Sequence, residues 1–345
     1  MKICSFTTVK DEEDIIESFV RYHINIVDYM IISDNCSNDN TLQILKKLKQ
    51  EGLNIDILED KSQYFDQNKK RKELLDYTMN KYNPDFVFPI DCDEFISTDK
   101  SINPRKIIEK LDKNILYNYK MINYVISKND NEKELFIPKK MKYRRTESSK
   151  ENHTFKCFFS NNLYNDKFVM SMGCHFAYYT DDTEIKNEVI NDLYLAHYPV
   201  RSKKQLMNKV ITGRLNNSSL HSRSEGLGFH QYIILDEIIK NGTISDETLL
   251  DISKNYGIKK DEFKDSKIIK KENICDFVKN KKIIYNKIYD SNLLSNTIKT
   301  SETIIDNMRE KYKDIEYKYN SIINSKRWKI ANKIGNFFEK FKIKK

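Results

Sequence analysis

Short apolar segments alternate with longer amphipathic ones over the first ninety residues. β-Branched and apolar residues predict strands at 2–9, 29–33, 55–58 and 86–90. Apolar positions at three- and four-residue spacing predict helices between them, at about 11–25, 42–51 and 67–82. This β-α-β-α-β-α-β order predicts an α/β fold, Rossmann-like, with a mostly parallel sheet and helices on both faces.

Polar clusters follow the first, second and fourth predicted strands, at 10–14, 34–41 and 91–94. The carboxyl ends of parallel strands meet at one edge of a sheet, which is where open α/β sheets bind ligands. We therefore expect a nucleotide-sized cleft at this edge.

The fourth strand runs directly into Asp91, Cys92, Asp93 and Glu94. Side chains alternate along an extended chain, so Asp91 and Asp93 can face the same side. Two such carboxylates can hold Mg²⁺ or Mn²⁺ while a diphosphate completes the coordination shell. A solvated acidic turn is the alternative. The chain has neither a Gly-x-Gly-x-x-Gly nor a Gly-x-x-x-x-Gly-Lys motif, so diphosphate binding would depend on a metal.

The second half of the chain predicts further elements. A short helix follows Pro104, and the surface segment 128–152 is rich in charge. Strand-like segments cover 115–126, 153–159, 168–179 and 192–198. A capping box at 202–205 opens another helix.

A long amphipathic helix is predicted near the C-terminus. Its apolar positions are Ile304, Met308, Tyr312, Ile315, Tyr319 and Ile322. The sequence allows two arrangements of this helix. It either packs against the domain or pairs as a coiled coil through 301–323, which would make a homo-oligomer. The tail Lys326–Lys345 carries eight basic residues and one acidic residue among aromatic ones. Membrane-surface contact and docking on the domain are its two interpretations.

Composition excludes several classes of protein. The six cysteines form no Cys-x-x-Cys pair, which favours free thiols over a zinc site or a disulfide framework. Neither a signal peptide nor a membrane-spanning segment is predicted. Net charge is +9, but the tail supplies most of it, so nucleic-acid binding is disfavoured. We expect a cytoplasmic protein, peripheral on the inner face of the membrane if the tail binds lipid. The expected domains are 1–240, a helical extension 241–325 and the tail 326–345.

Three motifs resemble family 2-like glycosyltransferases of the branch that builds bacterial surface glycans. The segment 34–41 resembles the "D-N-x-S-x-D-x-T" turn after the second strand, and 91–95 is similar to "D-x-D-E-F". His197-Tyr198, followed by Arg201-Ser202, Lys209 and Gly213, resembles "H-Y-x-x-[KR]-S … K … G". The resemblance covers residues 2 to about 215 and implies a GT-A fold.

The resemblance also implies a nucleotide-sugar donor, UDP foremost, a glycan or lipid-linked acceptor, and Mn²⁺ or Mg²⁺. Asp34 and Asp39 would contact the base and ribose, and Arg71 the base or phosphates. The full implied donor set is Thr8, Lys10, Glu12, Asp34, Asp39, Gln67, Arg71, Asp91, Cys92 and Lys209.

The implied metal site contains Asp93, which would ligate the metal, and Asp91, which would touch the ribose or the metal-bound water. His197 or His175 would complete the shell, while Glu94 holds its neighbours in place. Transfer would be a single displacement with inversion, in which a carboxylate deprotonates the acceptor hydroxyl. The catalytic candidates are Asp91, Asp181, Asp182 and Glu225. A sugar-1-phosphate nucleotidyltransferase and a non-catalytic membrane-associated scaffold are the alternative functions.

Overall fold

The computed structural model describes residues 1–60, 67–146, 154–218, 229–258, 268–271, 274–286 and 292–330. The strands are β1 (Ile3–Val9), β2 (Tyr29–Asp34), β3 (Ile55–Glu59), β4 (Phe86–Pro89), β5 (Glu94–Ser97), β6 (Leu116–Val125), β7 (Tyr143–Arg145), β8 (Phe155–Ser160), β9 (Phe168–Met170), β10 (Ala177–Tyr179), β11 (Asn187–His197) and β12 (Ile268–Lys270). The helices are α1 (Ile16–His23), α2 (Thr41–Gln50), α3 (Gln67–Tyr82), α4 (Arg105–Ile108), α5 (Ile137–Lys140), α6 (Lys203–Ser218), α7 (Phe229–Asn241), α8 (Asp246–Asn255) and α9 (Leu293–Asn324).

The N-terminal half of the sheet is parallel, in the order β3-β2-β1-β4. Beyond β4 the sheet continues through β8 and β6 in antiparallel pairing, and β11 lies parallel to β6 and antiparallel to β5. The predicted α/β class is confirmed. The central strand β1 lies between β2 and β4, so the polar segments that follow these three strands meet at one edge, as predicted.

Apolar side chains fill both faces of the sheet. On one face Phe19 and Tyr22 of α1 pack with Phe95, and α2 contributes Leu45 and Leu48. On the other face the predicted apolar side of α3, with Leu74, Leu75 and Met79, is buried. Both layers of helices therefore cover the parallel strands and leave their carboxyl edge to the polar segments.

The expectation of one strand over 168–179 is wrong. This segment is a hairpin of β9 and β10, joined by a 3-10 turn at 172–174. Gly173 has φ of 76° there, a backbone conformation that side chains with a Cβ rarely adopt, and it reverses the chain. The charged segment 128–152 also contains ordered structure, namely α5 and β7.

The C-terminal part of the chain contacts the first part at several places. Strand β12 pairs with β7, and Ile274, Cys275 and Val278 belong to the main hydrophobic core. Helices α6, α7 and α8 share a smaller core. The domain boundary at residue 240 stays a prediction.

The long C-terminal helix is confirmed as α9. Of the basic tail, the structure describes 326–330, which are helical, and the membrane prediction for the rest lies outside the described residues. No helix in the described ranges is both long and apolar enough to cross a membrane.

Candidate functional site at the carboxyl edge of the sheet

The acidic segment after β4 is a tight turn closed by its own hydrogen bonds. The Glu94 backbone N–H donates to the Asp91 carbonyl at 3.0 Å, and the Asp91 N–H donates to Glu94 Oε2 at 2.9 Å. The Tyr198 N–H donates to the Asp93 carbonyl at 2.8 Å, which ties the turn to the end of β11. Glu94 itself is buried.

Two cations neutralise Asp91. Arg71 of α3 contacts Oδ1 at 2.8 Å, and Lys156 of β8 contacts Oδ2 at 2.6 Å. Lys156 is buried and also contacts Glu94 at 2.7 Å. Burial alone would raise the pKa of Asp91, but Lys156 and Arg71 hold it well below its usual range. A carboxylate with so low a pKa is a poor proton acceptor near neutral pH, so Asp91 does not fit the part of general base.

Asp93 has different partners. The Lys209 ammonium lies 2.7 Å from Oδ2, and His197 Nε2 lies 3.6 Å from the same oxygen. Burial opposes the charge on Asp93, but Lys209 and His197 keep its pKa well below the ordinary value.

The orientation of His197 is set by Asn123. Nδ1 of His197 lies 2.6 Å from Asn123 Oδ1, while Nδ2 of that amide donates to the Tyr256 carbonyl at 3.1 Å. The Tyr256 carbonyl can only accept a hydrogen bond, so the Asn123 NH2 group must face it and Asn123 Oδ1 must face the His197 ring. Because Oδ1 can only accept, Nδ1 of His197 carries the proton. His197 Nε2 therefore turns toward Asp93. Metal-binding histidines are typically oriented by such a bond at their other nitrogen.

A carboxylate and an imidazole facing each other fit a divalent cation such as Mn²⁺. The ranges described contain no cluster of three or more Asp, Glu, His or Cys side chains poised to hold a metal. Asp93 and His197 would supply two ligands, and a diphosphate and water would have to supply the rest. Lys209 contacts the Asp93 oxygen that such a cation would use.

The turn after β1 is held by Arg201, which is fully buried. Its guanidinium contacts Asp14 through Nε at 2.7 Å and through NH2 at 2.9 Å, and it also contacts Glu12. Burial raises the pKa of Glu12 to about 7, against the pull of Arg201. Glu12 thus lies at the site in contact with Arg201, and its contact with a nucleotide-sugar stays a prediction.

A narrow cleft of only about 10 Å³ between the ends of β1 and β4 is lined by Thr8, Arg71 and Asp91, three of the predicted donor-binding residues, together with Thr7. The expected nucleotide-sized cleft stays a prediction. Within the described structure, the buried Oγ1 of Thr7 and Oδ1 of Asp34 have no hydrogen-bond partner. The other Asp34 oxygen accepts the Ser37 N–H at 3.1 Å. A buried acceptor without a donor costs free energy, so the unpaired Asp34 oxygen fits a ligand N–H or O–H group.

Two other residues predicted to bind the nucleotide-sugar, Lys10 and Asp39, make hydrogen bonds to the protein backbone. Lys10 donates to the Asn35 and Cys36 carbonyls at 3.1 and 3.2 Å. Both oxygens of Asp39 accept backbone N–H groups, and burial, followed by the nearby Asp11, raises its pKa to about 7. Their contact with a donor stays a prediction.

One further residue predicted to bind the nucleotide-sugar, Cys92, is not brought to the cleft surface. The Cys92 side chain packs in the hydrophobic core, where burial raises the pKa of its thiol. Gln67 begins α3, and its side chain lies outside what the structure describes.

His175 lies on the exposed hairpin turn, and its Nδ1 is 2.7 Å from the Phe155 carbonyl. The adjacent Cys174 accepts a hydrogen bond from Arg71 at 3.2 Å, so this turn flanks the Asp91 side of the site. Asp181 and Asp182 follow β10 at the opposite end of the hairpin, and Asp181 pairs with Lys167 at 2.8 Å. These two residues are not brought to the Asp91–Glu94 turn. Glu225 lies outside the described residues.

Sequence reasoning missed Lys156 and Asn123. Lys156 stands between Phe155 and Cys157 in an otherwise apolar strand. A charged residue in a buried strand needs a partner, so the sequence could have indicated that Lys156 pairs with a carboxylate. Asn123 gives no comparable signal, because its importance depends on the pairing of β6 with β11.

Residues 6–173 match the profile of glycosyl transferase family 2. Similar solved structures include S. aureus TarS 1–349 in complex with UDP, 17% identical over 69% of this chain and 71% of that chain, with a TM-score of 0.35. The mannosyltransferase PcManGT from Pyrobaculum calidifontis, in complex with GDP-Man and Mn²⁺, is 8% identical over 96% of this chain and 82% of that chain, with a TM-score of 0.36. No curated protein sequence matches the chain. Residues 6–173 are thus a glycosyl transferase family 2 domain, the family that the sequence motifs resemble.

Proposed function

We propose that this glycosyltransferase moves a sugar from a nucleotide-sugar, UDP-sugar foremost, to a glycan or lipid-linked acceptor, with Mn²⁺ or Mg²⁺ and with inversion. The observation that carries the proposal is the pair of Asp93 and His197, with Asn123 turning His197 Nε2 toward the carboxylate. Asp93 follows Asp91 by two residues in the sequence. Asp91 lines the narrow cleft, where the buried guanidinium of Arg71 supplies a positive charge.

Asp93 and His197 would hold the cation, which when bound neutralises the diphosphate leaving group. The Lys209 ammonium, displaced from Asp93 by that cation, would remain close enough to face the diphosphate. Arg71 would contribute a second fixed positive charge. The unpaired Asp34 oxygen would accept a hydrogen bond from the base or ribose of the donor.

The chemical step is a displacement at the anomeric carbon. The acceptor oxygen forms a bond to that carbon while the bond to the diphosphate oxygen breaks, and the acceptor proton passes to a carboxylate. Asp91 is too strongly paired for this part, and Asp181 and Asp182 lie beyond the hairpin. Glu225, the remaining candidate, follows α6, the helix that carries Lys209, and is our proposal for the base.

Calorimetry with UDP, with and without Mn²⁺, together with a screen of nucleotide-sugars for hydrolysis, tests the proposal. We expect metal-dependent UDP binding, and we expect Asp93→Asn to abolish both binding and turnover. Asp182→Asn is the matched control, since it removes a carboxylate from the far end of the hairpin and should leave both unchanged.

Turnover by Asp93→Asn at the wild-type rate would refute the assignment. Pyrophosphate release from UTP and a sugar-1-phosphate would instead identify a nucleotidyltransferase. Absence of any nucleotide affinity would favour the scaffold alternative.

A further inference from the structure

Helix α9 is anchored at its start and leaves the domain afterwards. Asn296 and Thr300 are buried on one side of its first turns. Asn296 Nδ2 donates to Asn208 Oδ1 of α6 at 3.2 Å, and Asn38 Nδ2 donates to Thr300 Oγ1 at 3.5 Å. From residue 305 to residue 322 the helix is exposed along its length where the structure describes side chains, a stretch of about 25 Å at 1.5 Å per residue.

This exposed part carries a continuous row of large apolar side chains, here called the α9 stripe. Its members are Ile305, Met308, Tyr312, Ile315, Tyr319 and Ile322, each between 46% and 69% exposed. They are separated alternately by three and four residues, which is the spacing of the a and d positions of a heptad repeat. The sequence pattern had placed Ile304 in this row, but Ile304 is half-buried and Ile305 takes the a position.

The charges beside the stripe indicate which surface it fits. Residues 302–320 carry five acidic and four basic side chains. A helix that lies on an anionic membrane needs a basic polar face, and this one has none. Mixed charges beside an a/d row are instead typical of helix pairing.

The flanking positions also give a direction. Lys311 and Lys318 occupy g positions, and Glu316 occupies an e position. In a parallel pair each g residue faces the e residue five positions later on the other helix, which sets Lys311 against Glu316 of a second copy, twice by symmetry. In an antiparallel pair g faces g and e faces e, so Lys311 would face Lys318 while Arg309, at an e position, would face Glu316. Repulsion and attraction would then offset each other, whereas the parallel pair has the attractive contacts alone.

We propose that the α9 stripe binds a second copy of this chain in a parallel coiled coil. Parallel pairing puts the two transferase domains at one end of the coil and the two basic tails, which follow residue 325, at the other. The inference is independent of the reaction proposed above, because none of the stripe residues lies at the site.

The mass of the full-length chain in solution, measured by light scattering and sedimentation velocity over a range of concentrations, tests the proposal. We expect about twice the chain mass of 41.1 kDa. Ile315→Glu puts a charge at a d position and should give a monomer. Tyr317→Glu is the matched control, because Tyr317 is 75% exposed but lies at an f position, away from the stripe. It should leave the dimer intact.

The charge pairs provide a second test. Glu316→Lys should weaken dimerisation about tenfold, since two attractive contacts become repulsive, and the double variant Lys311→Glu with Glu316→Lys should restore it. Met308→Cys should form a disulfide between copies on oxidation, because d positions face each other in a parallel pair.

A monomeric wild-type chain at all concentrations would overturn the proposal, as would a dimer that Ile315→Glu leaves intact. The same holds if a monomeric chain binds anionic vesicles and Ile315→Glu abolishes that binding. Circular dichroism confirms in each variant that the chain remains folded.

Discussion

Asp91 and Asp93 stand two residues apart on one turn, yet their partners differ in kind. Asp91 is neutralised by Arg71 and by Lys156, a buried lysine that also pairs with Glu94. Asp93 faces one lysine and the Nε2 side of His197. The first carboxylate is therefore held by two ion pairs, and in our proposal the second exchanges its lysine for a metal. Equal residue type and short spacing do not imply equal function.

The largest expected effect is a loss of stability when the ion pairs around Asp91 are broken. Lys156→Met leaves the buried carboxylate of Glu94 without its cation, and removing one partner of a buried pair costs about 3 kcal/mol or more of unfolding free energy. Urea unfolding measures the change. Lys186→Met, at a side chain 68% exposed, should change the stability by less than about 0.5 kcal/mol. Equal stability of the two variants would mean that Lys156 does not hold the turn.

At the proposed metal site of Asp93 and His197, Asn123→Leu should weaken Mn²⁺ binding about 10- to 100-fold, because His197 loses the hydrogen bond that turns Nε2 toward Asp93. Asn123→Asp keeps an acceptor for Nδ1 and should largely restore the affinity. Titration calorimetry with Mn²⁺ and UDP gives both values. Unchanged affinity in Asn123→Leu would remove His197 from the proposed metal shell.

A smaller effect of opposite sign is expected from Lys209→Met. The Lys209 ammonium contacts the Asp93 oxygen that a cation would use, so its removal should strengthen Mn²⁺ binding several-fold in the absence of nucleotide. The same variant should bind UDP more weakly, because a positive charge beside the diphosphate is lost. Weaker Mn²⁺ binding in Lys209→Met would show that the lysine and the metal do not compete.

The smallest effect concerns acid stability. The pKa of Asp91 is lowered in the folded chain, so the unfolded chain binds the proton first as the pH falls below about 4. The stability that Asp91 contributes is present above that pH and is lost progressively below it. Asp91→Asn should reduce the slope of unfolding free energy against pH by up to about one proton in this range.

Unfolding at a series of pH values between about 5 and 2 measures this slope. Asp182→Asn controls for the loss of one carboxylate. An unchanged slope in Asp91→Asn would mean that its ion pairs with Arg71 and Lys156 do not persist in solution.

By itself the sequence determined the local elements and the edge of the sheet where the site lies. Strand and helix periods, the acidic turn after β4 and the presence of a long C-terminal helix follow from residues close together in the chain, and the structure agrees with them. The helix α9 begins earlier than its apolar row predicted, at Leu293. The segment 168–179 was misjudged because its apolar residues suit a strand, whereas Gly173 reverses the chain.

Only the tertiary structure decided how the carboxylates are paired. Lys156 reaches Asp91 across 65 residues, and Lys209 reaches Asp93 across 116. Such contacts depend on strand order and register, here the placing of β8 beside β4 and of β11 beside β5 and β6. A periodicity reports which side of its own element a residue faces. It carries no information on which distant element lies opposite, and that is why the two aspartates could be located from the sequence while their ion-pair partners could not.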